Sequence, residues 1–284
     1  MGNGWHEWPL ILFTVLGQSV VGGLMVTGLA WLFAAPRPEQ QRALVRAMFF
    51  LWLIMGLAFV ASVLHLGSPL RALNSLNRLG SSALSNEIAS GSLFFALGGL
   101  WWLVSILGKM PAQLGRVWMA IALLSGVLFV WAMTRVYQIA TVPTWHNDYT
   151  TLGFFFTALL AGPLLGVLLL RLARFPLQGR NLALLSVAAL LVSLAAIILQ
   201  TSDLAFIHNA QQQAAALIPD YAMLQLGRVF LLVAGLGCWI CPLVRQRTPA
   251  PAALLAGFVL VVAGEVIGRA LFYGLHMTVG VAAA

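Results

Sequence analysis

Eight stretches of this chain are long and apolar enough to cross a lipid bilayer, and that property leaves few folds open. A hydrocarbon core of ~30 Å needs about 20 predominantly apolar residues in helical form. Runs of that kind fall approximately at 9–35, 47–66, 85–107, 115–139, 151–172, 181–201, 221–244 and 251–274. Inside lipid a segment must satisfy its own backbone hydrogen bonds, so each run is expected to be an α-helix. The period-two alternation of an outer-membrane barrel is missing from the sequence. With 61% hydrophobic and 8% charged residues, the protein lies far outside the range of soluble domains. The expected fold class is an all-α integral membrane protein with eight transmembrane helices. It reads as one polytopic domain over residues 1–284, divisible into two four-helix halves.

The first run is expected to stay as a span rather than be cleaved, because MGNGWHEWPL has no basic leader and carries Glu7. His6 stands where a myristoylation motif needs Ser or Thr. The basic residues set direction. Arg37, Arg42, Arg46, Lys109, Arg116, Arg171, Arg174, Arg180, Arg245 and Arg247 fall on one side, against Arg71 and Arg78 on the other. Ten against two is a strong positive-inside bias, so both termini are expected to face away from the cytoplasm. The net charge of +8 sits in short connectors, which fits topology rather than nucleic-acid binding. Trp5, Trp8, Trp101, Trp102, Trp118, Trp145 and Trp239 read as interfacial belts, and Pro163 as a kink in the fifth helix. Cys238 and Cys241 are too few for a metal site and read as small buried thiols.

With that direction, all five histidines (His6, His65, His146, His208 and His276) fall toward the outer side. The most polar stretch there, HLGSPLRALNSLNRLGSSALSNE, runs from His65 to Glu87 and joins the second and third runs. His65 can anchor at the interface, cap a helix, ligate haem or exchange a proton near neutral pH. Glu87 can favour a helix macrodipole from the first turn, with Ser85 as cap, or act as a proton acceptor. Arg71 and Arg78, on the face that disfavours them, call for a partner. A second constellation, Glu265, Arg269, Tyr273 and His276, has the spacing of one helical stripe, with Glu265 and Arg269 read as an intramembrane ion pair. Arg135, Tyr137, Gln138 and Arg228 extend this polar lining, and residues 208–221 read as a short amphipathic segment on the outer surface.

A lipid-soluble quinol suits such a face, since its oxidation releases two protons and two electrons. The sequence has no cysteine cluster to carry iron–sulfur, so the electrons need haem or a partner's redox centre. A haem-bearing anchor and a secondary transporter coupled through Glu265 and Arg269 are the competing classes. Neither the four imidazoles of a two-haem site nor an inverted repeat is visible in the sequence.

Several segments together resemble the membrane anchor subunit of the anaerobic dimethyl sulfoxide reductase family. They are MGNGWHEWPL, HLGSPLRALNSLNR, SNEI at 85–88, VPTW at 142–145, QQAAALIPDY at 212–221 and IGRALFYGLHMTVG near the end. The resemblance spans essentially the whole sequence. It implies an eight-helix anchor, without haem or any covalently bound cofactor, that oxidises menaquinol as a substrate in anaerobic respiration. It also implies a bacterial inner membrane with both termini periplasmic, and two partners on the periplasmic face: an iron–sulfur subunit with four 4Fe–4S clusters and a molybdopterin catalytic subunit. Carried over by motif, the site residues are His65 and Glu87 for proton handling, with Gly67, Arg71 and Ser75 in the quinol pocket, and no metal ligand.

Overall fold

A computed structural model of the protein describes residues 3–34, 37–64, 77–176, 179–209 and 212–279. The described residues form helices joined by short connections. A 3₁₀ turn (Asn3–Glu7) leads into α1 (Trp8–Phe33), followed by α2 (Pro38–Ala47), α3 (Phe49–Leu64), α4 (Ala83–Ile106) and α5 (Ala112–Tyr137). Then come α6 (Asp148–Leu172), α7 (Arg180–Leu204), α8 (Tyr221–Val244) and α9 (Pro251–Gly274). Helices α2 and α3 are two parts of one span, Pro38–Leu64, so eight spanning segments are present among the described residues. The second span begins well before its apolar run. Its first turns, PEQQRALVRA, are polar and dilute the hydropathy on which the sequence reading relied.

Apart from α2, these helices are apolar on nearly every face, so no amphipathic stripe decides what each one buries. Small residues decide instead. Helices α1 and α6 form the centre of the bundle, and both are largely enclosed by the others. Their backbones touch at Gly22 and Gly162, where a Cβ on either glycine would run into the main chain of the other helix. Packing of this kind substitutes for the hydrophobic effect, which is absent between helices in lipid. Helices α8 and α9 meet the same way, since a Cβ on Gly257 would lie 2.5 Å from the Gly235 carbonyl oxygen. Helix α3 leans mainly on α1 and only lightly on α4, its neighbour in sequence.

Pro163 sits inside α6 and deprives the carbonyl four residues earlier of its N–H partner. That carbonyl belongs to Leu159, and Ser186 of α7 donates its hydroxyl to it at 2.9 Å. A neighbouring helix thus restores the missing bond. The tryptophans depart from a simple belt. Trp101 and Trp239 are fully buried, whereas Trp5 and Trp8 are exposed. Trp101 donates its indole N–H to the Gly115 carbonyl and Trp118 to that of Leu97, each at 2.9 Å. Both therefore clasp α4 to α5. The thiols also differ from expectation, because α8 packs with Cys238 half-buried and Cys241 turned outward.

Candidate functional site

Residues 65–76 lie outside the described residues, and with them His65, Gly67, Arg71 and Ser75. Glu87 is described, and its position rules out the simplest explanation for it. Helix α4 starts at Ala83, with Ser82 as its cap accepting from the Ser85 N–H, so Ser85 is not the cap. Glu87 therefore stands in the second turn, beyond the stretch where a macrodipole chiefly rewards a carboxylate. It is also buried, and its Oε1 has no hydrogen-bond partner among the described residues. A buried carboxylate needs compensation, and the described residues give its Oε1 none.

An aromatic bed lies one to two turns deeper. A Cβ on Gly91 would come 2.6 Å from the Phe129 ring, and Phe129 stacks on Phe94 with centroids 5.9 Å apart. Phe13, Phe59, Phe95 and Trp52 continue this surface across α1, α3 and α4. Tyr137 of α5 and Tyr273 of α9 are buried elsewhere in the bundle. The hydroxyls of these two tyrosines are 2.6 Å apart.

Beyond the tyrosines lies a charged cluster inside the bundle. The Arg228 guanidinium of α8 donates to Glu265 Oε1 of α9 at 3.2 Å, and the Thr157 hydroxyl of α6 donates to Glu265 Oε2 at 2.5 Å. Arg269 instead turns to α1 and α6. It donates to Gln18 Oε1 at 2.9 Å and to Thr157 Oγ1 at 3.4 Å, and its guanidinium covers the Phe154 ring at 3.5 Å. The ion pair expected between Glu265 and Arg269 is thus formed between Glu265 and Arg228. Gly268 makes this possible, because a Cβ there would collide with the Arg228 side chain.

Comparison with known proteins shows the family. The family profile described as DMSO reductase anchor subunit (DmsC) matches residues 1–275. The protein belongs to the DMSO reductase anchor subunit family. It is 61% identical over 284 residues to anaerobic dimethyl sulfoxide reductase chain YnfH of Escherichia coli strain K12, with 100% of both sequences covered. A second anaerobic dimethyl sulfoxide reductase chain from that strain is 53% identical over 286 residues, again with 100% of each covered. An anaerobic dimethyl sulfoxide reductase chain of Haemophilus influenzae is 42% identical over 285 residues, with 99% of this sequence and 98% of the relative covered.

Within this anchor, the stripe read from 265 to 276 holds only in part. Helix α9 ends at Gly274, so His276 leaves the helical face and is exposed, with its ring 4.6 Å from that of Trp145. Arg135 is exposed as well, while Gln138 closes the α5–α6 loop by donating to the Asn147 carbonyl at 3.0 Å. In the 208–221 segment, Ala214 and Ile218 are buried against Leu271 and Leu275 at the end of α9. The sequence reading missed Gln18 and Thr157 as partners of the charged cluster. Gln18 left a signal, a lone amide within an otherwise apolar run; Thr157 left none.

Proposed function

We propose that the protein is the membrane anchor of a three-subunit anaerobic dimethyl sulfoxide reductase-type molybdoenzyme in the bacterial inner membrane. Menaquinol is oxidised near the periplasmic face, giving menaquinone, two protons and two electrons. The electrons pass to a four-cluster iron–sulfur subunit docked outside the membrane, and from it to a molybdopterin catalytic subunit. Membership of the anchor family supports the complex, and the distribution of basic residues supports the sidedness.

The observation that carries the quinol reading is Glu87, a buried carboxyl with one oxygen unpartnered among the described residues, above an aromatic bed and at the end of the polar stretch that begins with His65. A carboxylate so placed can accept a proton from a quinol hydroxyl. His65 takes the other proton, while Gly67, Arg71 and Ser75 admit and orient the headgroup. A larger groove of about 750 Å³ between α1, α5, α6 and α7 suits the reaction poorly. It lies toward the opposite membrane side, where Arg180 and Asn181 border it, and its described lining contains no carboxylate or imidazole.

The test replaces His65→Arg and Glu87→Lys in the assembled complex. Both variants should lose quinol-dependent reduction while keeping full activity with a soluble donor that feeds the partners directly. Unchanged quinol turnover in both would overturn the assignment.

A further inference from the structure

The groove of about 750 Å³ between α1, α5, α6 and α7 has no part in the chemistry proposed above. Its floor is the close contact of α1 with α6, reached at Gly22, Ala158 and Pro163. Its walls are α5, through Val127 and Val130, and α7, through Leu182 and Leu185. These two helices do not touch each other among the described residues, so the floor stays open to lipid between them.

Along α1 the lining runs from Val21 to Ala34. At a rise of about 1.5 Å per residue this is roughly 20 Å. One leaflet holds ~15 Å of hydrocarbon, half of a ~30 Å core, so the groove has the depth of a single leaflet. It begins near mid-membrane and opens at the face where α1 ends and α7 begins. Polar side chains stand only at that mouth: Arg180 and Asn181, both exposed, in the first turn of α7. The described lining holds no acidic side chain. Gly179, at φ 68°, caps α7 without a side-chain acceptor for its first amides, and a helix start of this kind favours an anion.

The interior decides what can fill the groove. Below the mouth its lining is apolar, so water would find no partners there and a hydrocarbon chain is the fitting occupant. Apolar packing alone would not select one lipid over another, because lipid tails are as apolar as the walls. The charge at the mouth does select. A phosphate there gains charge-assisted hydrogen bonds from a guanidinium.

We propose that the groove is a binding site for one anionic phospholipid, its acyl chain laid along α1 and its phosphate at Arg180 and Asn181. The lipid fills the gap between α5 and α7 and covers the α1–α6 contact on the side where those helices stand apart. The site does not rest on the quinol reading, which concerns the opposite membrane face.

The test uses the complete complex, extracted from native membranes in mild detergent, or stripped of lipid and given back phosphatidylglycerol or phosphatidylethanolamine. Native mass spectrometry should show one phosphatidylglycerol that the wild type keeps through detergent exchange, in preference to phosphatidylethanolamine. Arg180→Gln should weaken its binding about 5-fold, the worth of one basic group at a charged membrane surface. Leu29→Trp and Leu185→Trp, which add bulk to the groove at exposed positions, should abolish retention. A phosphatidylglycerol with a photoreactive acyl chain should label Val127 and Leu185 of the groove, and not Leu57 or Leu191, which are exposed elsewhere. Equal retention by the wild type and both tryptophan variants, or labelling spread evenly over exposed positions, would mean boundary lipid only and overturn the site. Wild-type binding in Arg180→Gln, equal affinity for phosphatidylethanolamine, or menaquinol kept in place of phospholipid would overturn it as well. Should the tryptophan variants fail to assemble, the labelling pattern and Arg180→Gln decide alone.

Discussion

Glu265 on α9 is paired with Arg228 on α8 at 3.2 Å, and both residues are buried in the bundle. Removing one partner leaves the other as an uncompensated charge, and such losses cost about 3–5 kcal/mol. Arg228→Leu should therefore lower the thermal unfolding midpoint of the detergent-solubilised protein sharply. The double variant Arg228→Leu with Glu265→Leu should unfold at a higher temperature than Arg228→Leu alone. A double variant no better than the single would show that the pair is not the coupled unit.

The contact of Gly22 with Gly162 has no room for a side chain. Gly22→Val and Gly162→Val should each prevent the protein from accumulating in the membrane, measured as the folded fraction after mild solubilisation. Gly56→Ala and Gly99→Ala, where nothing stands within 4 Å of an added Cβ, should accumulate normally.

Ser186 supplies the hydrogen bond that Pro163 removes from α6. Ser186→Ala should cost about 1 kcal/mol, the net worth of one such bond. In a Pro163→Ala background, where the Leu159 carbonyl recovers a backbone N–H, the same change should cost little. Equal losses in the two backgrounds would mean that Ser186 acts through packing.

The direction of insertion is open to a direct check. A reporter fused to either terminus should be active only in the periplasm, and enzymatic activity of a cytosolic reporter at either end would reverse the sidedness on which the quinol reading depends.

The spanning helices were legible because lipid leaves a polypeptide few choices, so length and hydropathy carry most of the answer. Glu87 was legible as a candidate because a carboxylate beside an apolar run stands out against so little charge. Partners were harder to read. Glu265 and Arg269 have the spacing of a helical pair, but sequence distance says nothing of a neighbouring helix, and Arg228 arrives from α8 through the gap left by Gly268. The eighth run was read to its end at 274, but the polar stripe was carried on to His276, where α9 has already ended. Trp101 was misread for a related reason. An indole can turn to lipid or to a neighbour's carbonyl, and composition does not distinguish the two.

The centrality of α1 bears on how the molecule is built. Its tightest neighbour, α6, starts at Asp148, so ribosomes must add more than a hundred residues after Gly22 before Gly162 exists. Until then the first-made helix waits in the bilayer with its smoothest side facing lipid or whatever else is at hand. Assembly thus cannot proceed as a simple accretion of successive hairpins, because the keystone is laid first and meets its main partner only four spans later.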